Sequence, residues 1–137
     1  MNRNDKRTTI CRMDFLPLSQ ATVQNLPGNS DIKVQGTFIP VPISSGEFRE
    51  TKEEGYPIEQ ELEAVVTDTS SARLTELREL FAQNGLVLLT LTNGDQRVVG
   101  TDEFPVLINT ELGGTPSSLS LSFKRNSPEP AKIYSSF

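Results

Sequence analysis

Residues 57–69 read PIEQELEAVVTDT, and how this stretch is read decides the fold. Ile58, Leu62, Ala64 and Val66 fall on even positions. Glu59, Glu61 and Glu63 fall on odd ones. That is a period of two, the signature of a half-buried strand with carboxylates on its outer face. Glu and Leu also suit a helix, but the β-branched end and the run of cap-forming residues after it favour a strand. Directly downstream the period changes. Ala72, Leu74, Leu77, Leu80 and Phe81 recur at helical spacing, opposite Arg73, Glu76, Arg78, Glu79 and Gln83. The caps at 68–71 and the stop at Asn84-Gly85 predict one helix over 71–84, burying Leu74, Leu77 and Phe81.

Further along, LVLLTLT (86–92) and QRVVG (96–100) flank Asn93-Gly94. Asn-Gly between β-runs predicts a tight hairpin with both central residues at positive φ. A strand is expected over 104–109, a turn at 113–116, and another strand over 117–125 with Leu119, Leu121 and Phe123 inward. Upstream, Thr9, Cys11, Met13 and Phe15 alternate with Ile10, Arg12 and Asp14, which makes Cys11 a small buried apolar residue. Residues 26–29, LPGN, read as a turn, and 31–43 as a strand ended by Pro40 and Pro42. Residues 44–55 are polar and punctuated by glycine. They read as a protruding loop whose one large apolar residue is Phe48.

About seven strands with a single inserted helix exclude a doubly wound fold. The expected architecture is mainly β (α+β): an antiparallel β-barrel or sandwich with one packed α-helix. A chain of 137 residues makes one such domain. Its parts are a basic arm (1–12), a β-rich body (13–126) and an extended, proline-rich tail (127–137).

Composition limits the chemistry. The net charge is −5, with no His, no Trp and one Cys. His-based triads, imidazole metal sites and zinc clusters are thereby absent, and so is an intrachain disulfide. No nucleotide-cradling or calcium-loop motif occurs. Paired carboxylates could serve a glycosidase, but no aromatic sugar platform accompanies them. The chain is expected not to be an enzyme and to need no cofactor or metal. It has neither a run of ~20 apolar residues nor an apolar signal region, so no membrane partner is expected.

The charge is uneven. Residues 1–12 carry net +3 through Arg3, Lys6, Arg7 and Arg12, and the remainder carries −8. The arm is either a frayed end or a dock onto an acidic neighbour. Ile133, Tyr134 and Phe137 in the tail either cover their own domain or anchor on a neighbouring subunit. Glu59, Glu61 and Glu63 form either a solvated face, offset by cations such as Arg49, Lys52 or Arg97, or an acidic lining.

QELEAVVTDTSS, ARLTELRELFAQNG, LVLLTLTNGDQRVVG, DEFPVLI and SLSFKRNSPEPA resemble, in their order, tail-tube-like structural proteins of tailed bacteriophages of the Bacteroidetes type. The resemblance covers about the last 80 residues and carries no residue roles. It implies a non-enzymatic virion protein, made in the host bacterial cytoplasm, that forms rings or tubes with copies of itself and with other virion proteins. DNA would pass through a lumen without specific binding. Arg3, Lys6, Arg7, Phe48, Ile133, Tyr134 and Phe137 would be subunit contacts, and Glu59, Glu61 and Glu63 an acidic lining. The alternative is a small bacterial ligand-binding or adaptor β-barrel.

Overall fold

The computed structural model describes residues 3–25, 30–53, 55–67, 71–113, 118–128 and 130–135, and the side chains of all these except 3–8, 53, 71, 73, 74, 112, 113 and 135. In chain order the elements are β1 (Arg3–Pro17), a 3-10 turn (Leu18–Gln20), β2 (Thr22–Gln24), β3 (Asp31–Gln35), β4 (Ile39–Val41), β5 (Ser45–Glu53), β6 (Ile58–Val66), α1 (Ser71–Phe81), β7 (Gly85–Leu91), β8 (Gln96–Val99), β9 (Asn109–Gly113), β10 (Ser118–Ser127) and β11 (Lys132–Ser135). The protein is mainly β with one α-helix. Its strands run β2-β3-β11-β8-β7-β1-β5-β6-β10-β9, with β4 also on β1, in one sheet that does not close. Every pair is antiparallel except β11 with β3, so the sheet is mixed.

The long strand β1 organises the sheet. Its residues 3–9 pair with β5, and its residues 10–17 pair with β7. It therefore belongs to two half-sheets, β1-β5-β6-β10-β9 and β2-β3-β11-β8-β7-β1. Their inner faces share one core: Ile10, Met13 and Phe15 from β1, Leu62 and Val66 from β6, Leu119, Leu121 and Phe123 from β10, and Val87 and Leu89 from β7. Helix α1 adds Leu77 and Phe81, and the Phe81 ring meets Phe15 edge-on at 5.2 Å. β7 is apolar on both faces because each covers something. Leu86 and Leu88 join Leu16, Val98, Ile32 and Val34 in a second core, where Phe38 and Tyr134 stack edge-on at 5.7 Å.

Several expectations need correction. Residues 44–55 are not a loop. Their core is the nine-residue β5, paired on both sides by β1 and β6, and backbone pairing overrides their polar composition. The 127–137 tail is not free either, since β11 is an internal strand between β8 and β3. Cys11 is exposed rather than buried. The register to β7 shifts between Ile10 and Arg12, a β-bulge with Cys11 as its extra residue. The bulge reverses the alternation, which is why Ile10 and Met13 both point inward. The 31–43 strand is two, β3 and β4, interrupted at Gly36. Residues 104–109 make only a single bridge, Val106 with Gly85, and β9 begins at Asn109. At the β7–β8 hairpin only Gly94 has positive φ, and its N–H donates to Leu91 O at 2.9 Å. That is a longer loop than the two-residue turn. The helix ends at Phe81, three residues short of the expected bound. The turn expected at 26–29, most of that at 113–116, the caps at 68–70 and the Leu74 side chain lie outside the described residues.

Candidate assembly surface

The outer face of β1-β5-β6-β10-β9 is where the sequence placed its chemistry. Because β6 alternates, Leu62, Ala64 and Val66 enter the core and Glu59, Glu61 and Glu63 stand on the opposite face, as expected. Glu63 is exposed, while Glu59 and Glu61 are half-buried by their neighbours. The cross-strand register explains the difference. Glu61 lies between Arg49 on β5 and Lys124 on β10, and Arg49 Nη1 is 3.9 Å from Glu61 Oε2. Glu63 instead lies directly opposite Glu47, with Ser122 on its other side. Like charges at that position repel and keep both carboxylates in water. Of the three cations expected to offset the stripe, Arg49 alone does so. Lys52 falls on the other parity of β5, and Arg97 sits on β8 beside Asp95 at 3.6 Å.

Over this face lie two shallow hollows. One, of about 200 Å³, is lined by Glu47, Arg49, Glu61 and Glu63. The other, of about 590 Å³, adds Ser45, Ser120, Ser122 and Glu111. Carboxylates and hydroxyls on a flat sheet suit hydrated contact with a polar partner, not capture of an apolar ligand. Among the described residues, no three acidic or Cys side chains converge as a metal site.

The other expected contact residues separate. Phe48 is not a surface anchor, because β5 places it in the core beside Leu62. Tyr134 is half-buried against Phe38, whereas Ile133, on the opposite side of β11, is 45% exposed. Arg3, Lys6 and Arg7 lie on the part of β1 paired with β5, so their backbone is sheet rather than a loose arm. Their side chains and Phe137 lie outside what is described.

Sequence reading missed a polar layer at one end of the core. Glu50 Oε2 accepts from Gln60 Nε2 at 3.1 Å and from the Ala131 N–H at 2.8 Å, tying the segment before β11 to β5. Gln60 is fully buried, and its Oε1 has no partner. The buried Lys132 ammonium donates to Asn25 Oδ1. On the outer side of β1, Arg12 donates twice to the buried Asp14 carboxylate, at 2.9 and 3.2 Å, which pushes the Arg12 pKa up. These partners are far apart in sequence apart from Arg12–Asp14, so no local signal announces them. Comparison with known protein families, curated proteins and solved structures finds no match.

Proposed function

We propose that the protein is a non-enzymatic structural subunit that joins copies of itself into a ring or tube, as a tail component of a bacteriophage virion made in the host bacterial cytoplasm. One observation carries the reading. The half-sheet with the Glu stripe ends in two edges that no strand covers among the described residues: 3–9 of β1, and β9. The first bears Arg3, Lys6 and Arg7, and the second bears Glu111. Edges of unlike charge at opposite ends of one sheet favour head-to-tail pairing, and a head-to-tail contact closes a ring when its rotation closes. Such pairing would carry the face with Glu59, Glu61 and Glu63 from copy to copy as a continuous acidic lining, which repels a DNA backbone rather than holding it. The exposed Ile133 would face other virion proteins.

Native mass spectrometry and negative-stain imaging of the purified chain over a concentration series test this. Rings or tubes that loosen as salt rises are expected, because edge charges are screened beyond about 10 Å at 0.1 M. A chain that stays monomeric at every concentration and salt level refutes it.

A further inference from the structure

Beyond self-assembly, the structure holds another, differently built strand edge. β10 runs from Ser118 to Ser127, but β9 pairs only with its residues 118–122. On the other side, β6 pairs with β10 over 119–127. Among the described residues, 123–126 therefore have a strand on one side only. The reason lies in the chain before β9. Val106 is held away from β10 by its reciprocal backbone hydrogen bonds to Gly85, at 2.9 and 2.8 Å, and Val106 and Ile108 are buried in the core. The segment 103–107 thus splits from β10 and leaves a groove of about 440 Å³ between them.

The walls of this groove are unusual for a polar chain. Phe104 and Leu107 are 47% and 52% exposed. Their exposure is fixed rather than incidental. Leu107 lies between the buried Val106 and Ile108, and Phe104 is held by two hydrogen bonds with Thr101: its N–H donates to Thr101 Oγ1 at 3.0 Å, and its carbonyl accepts from the Thr101 N–H at 3.1 Å. At the base stands Arg125, half-buried, with Nη1 donating to Pro105 O at 3.1 Å. A guanidinium has five N–H donors. Arg125 makes no ion pair among the described residues, and burial pushes its pKa down. Lys124 also lines the groove but has the opposite parity to Arg125, opposite Glu61 on the outer face, and Glu103 is the one acid among the lining residues.

We propose that this groove docks an extended segment of a partner protein that carries a carboxylate between apolar side chains, adding it as a strand to residues 123–126 of β10. Alternate N–H and C=O groups of those residues face the groove and pair with the incoming backbone. The segment's carboxylate meets Arg125, and its apolar side chains cover Phe104 and Leu107. About 13 Å of edge lines the groove, at about 3.3 Å per residue.

The test uses the full chain and a fluorescein-labelled peptide of eight residues that alternates Glu with Leu and Phe. Counterparts carry Gln or Lys in place of Glu. Fluorescence polarisation should show the Glu peptide bound about tenfold or more tighter than the Gln peptide, since hydrogen bonds to charged groups contribute about 1.5–3 kcal/mol. Arg125→Gln should erase that preference. The double change Phe104→Ser with Leu107→Ser, at exposed positions that leave the core intact, should weaken both peptides. Hydrogen exchange should slow at 123–126 on binding. Equal affinity for the Glu, Gln and Lys peptides, indifference to the Phe104/Leu107 change, or unaltered exchange at 123–126 overturns the proposal. If Arg125→Gln fails to fold, the comparison of Glu, Gln and Lys peptides on the parent chain and the serine pair still decide it. The mass of the protein is read separately, so failure here leaves the ring proposal standing, and the reverse.

Discussion

Gly85→Ala probes the junction on which both half-sheets depend. Gly85 opens β7 opposite Pro17 and is bonded in both directions to Val106. A Cβ built there would lie 2.4 Å from Leu16 O and 2.6 Å from the Phe15 ring. The carbonyl belongs to the β1 backbone, and the ring is held edge-on by Phe81, so neither can swing aside. Overpacking of this kind costs about 1–3 kcal/mol. If the chain backs away, the two bonds to Val106 stretch, at about 1 kcal/mol each. The sum is about 3–5 kcal/mol. In a domain of this size that lowers the melting temperature by roughly 10–15 °C. Gly94→Ala is the matched control. Its φ is +94°, but nothing lies within 4 Å of the added carbon, so it costs only the left-handed backbone penalty of about 1–2 kcal/mol. Parallel thermal melts followed by circular dichroism give the comparison. If Gly85→Ala melts with the parent, or no lower than Gly94→Ala, the packing argument at this junction is wrong.

Leu77→Asp places an unpaired carboxylate at a core position of α1 that is 3% exposed. It should cost several kcal/mol in a denaturant titration. Removing residues 130–137 takes out an internal strand and the Ala131–Glu50 bond, so the truncated chain should lose its cooperative melt rather than behave like one with a trimmed tail. Glu63→Gln and Glu61→Gln should shift stability in opposite directions by a few tenths of a kcal/mol. The first relieves repulsion with Glu47 and the second weakens the pair with Arg49, which differential melts at low salt would resolve. Deleting Cys11, the extra residue of the bulge, leaves Ile10 and Met13 two positions apart, on one face and still opposite Leu91 and Leu89, so the shortened chain should keep a cooperative melt, whereas deleting Arg12 as well would turn Ile10 or Met13 outward and should unfold it; Cys11→Ser should melt within a degree or two of the parent.

The legible parts of the fold were those written in short-range alternation. β6 with its Glu stripe, the inward face of β10, and the helix with Leu77 and Phe81 followed from period alone. What escaped was set by partners far along the chain. β5 looks like a loop because Glu, Arg, Thr and Lys fill it, yet β1 and β6 pair it on both sides and only Phe48 needs the core. β11 is too short to announce itself, and its place depends on β3, a hundred residues earlier. The Cys11 bulge leaves no mark, because an alternating pattern shifted by one residue still alternates. The groove beside β10 exists only where two segments part, and sequence records pairing more readily than its absence.

β1 also bears on how the protein is made. Its partners lie from 24 residues downstream, Phe15 with Ile39, to 81, Ile10 with Leu91. At about 5–20 residues per second, a ribosome takes several seconds to deliver that last partner. Until β7 arrives, Met13, Phe15 and Leu16, the most deeply buried side chains of the strand, have at most the three-residue β4 beside them. Among these elements β1 leaves the ribosome first and is completed only after β7 emerges. The nascent chain therefore passes through its most adhesive state with an apolar, strand-forming segment open along its β7 edge, and the like charges of Arg3, Lys6, Arg7 and Arg12 in the same strand oppose its pairing with a neighbouring nascent chain until Leu91 arrives.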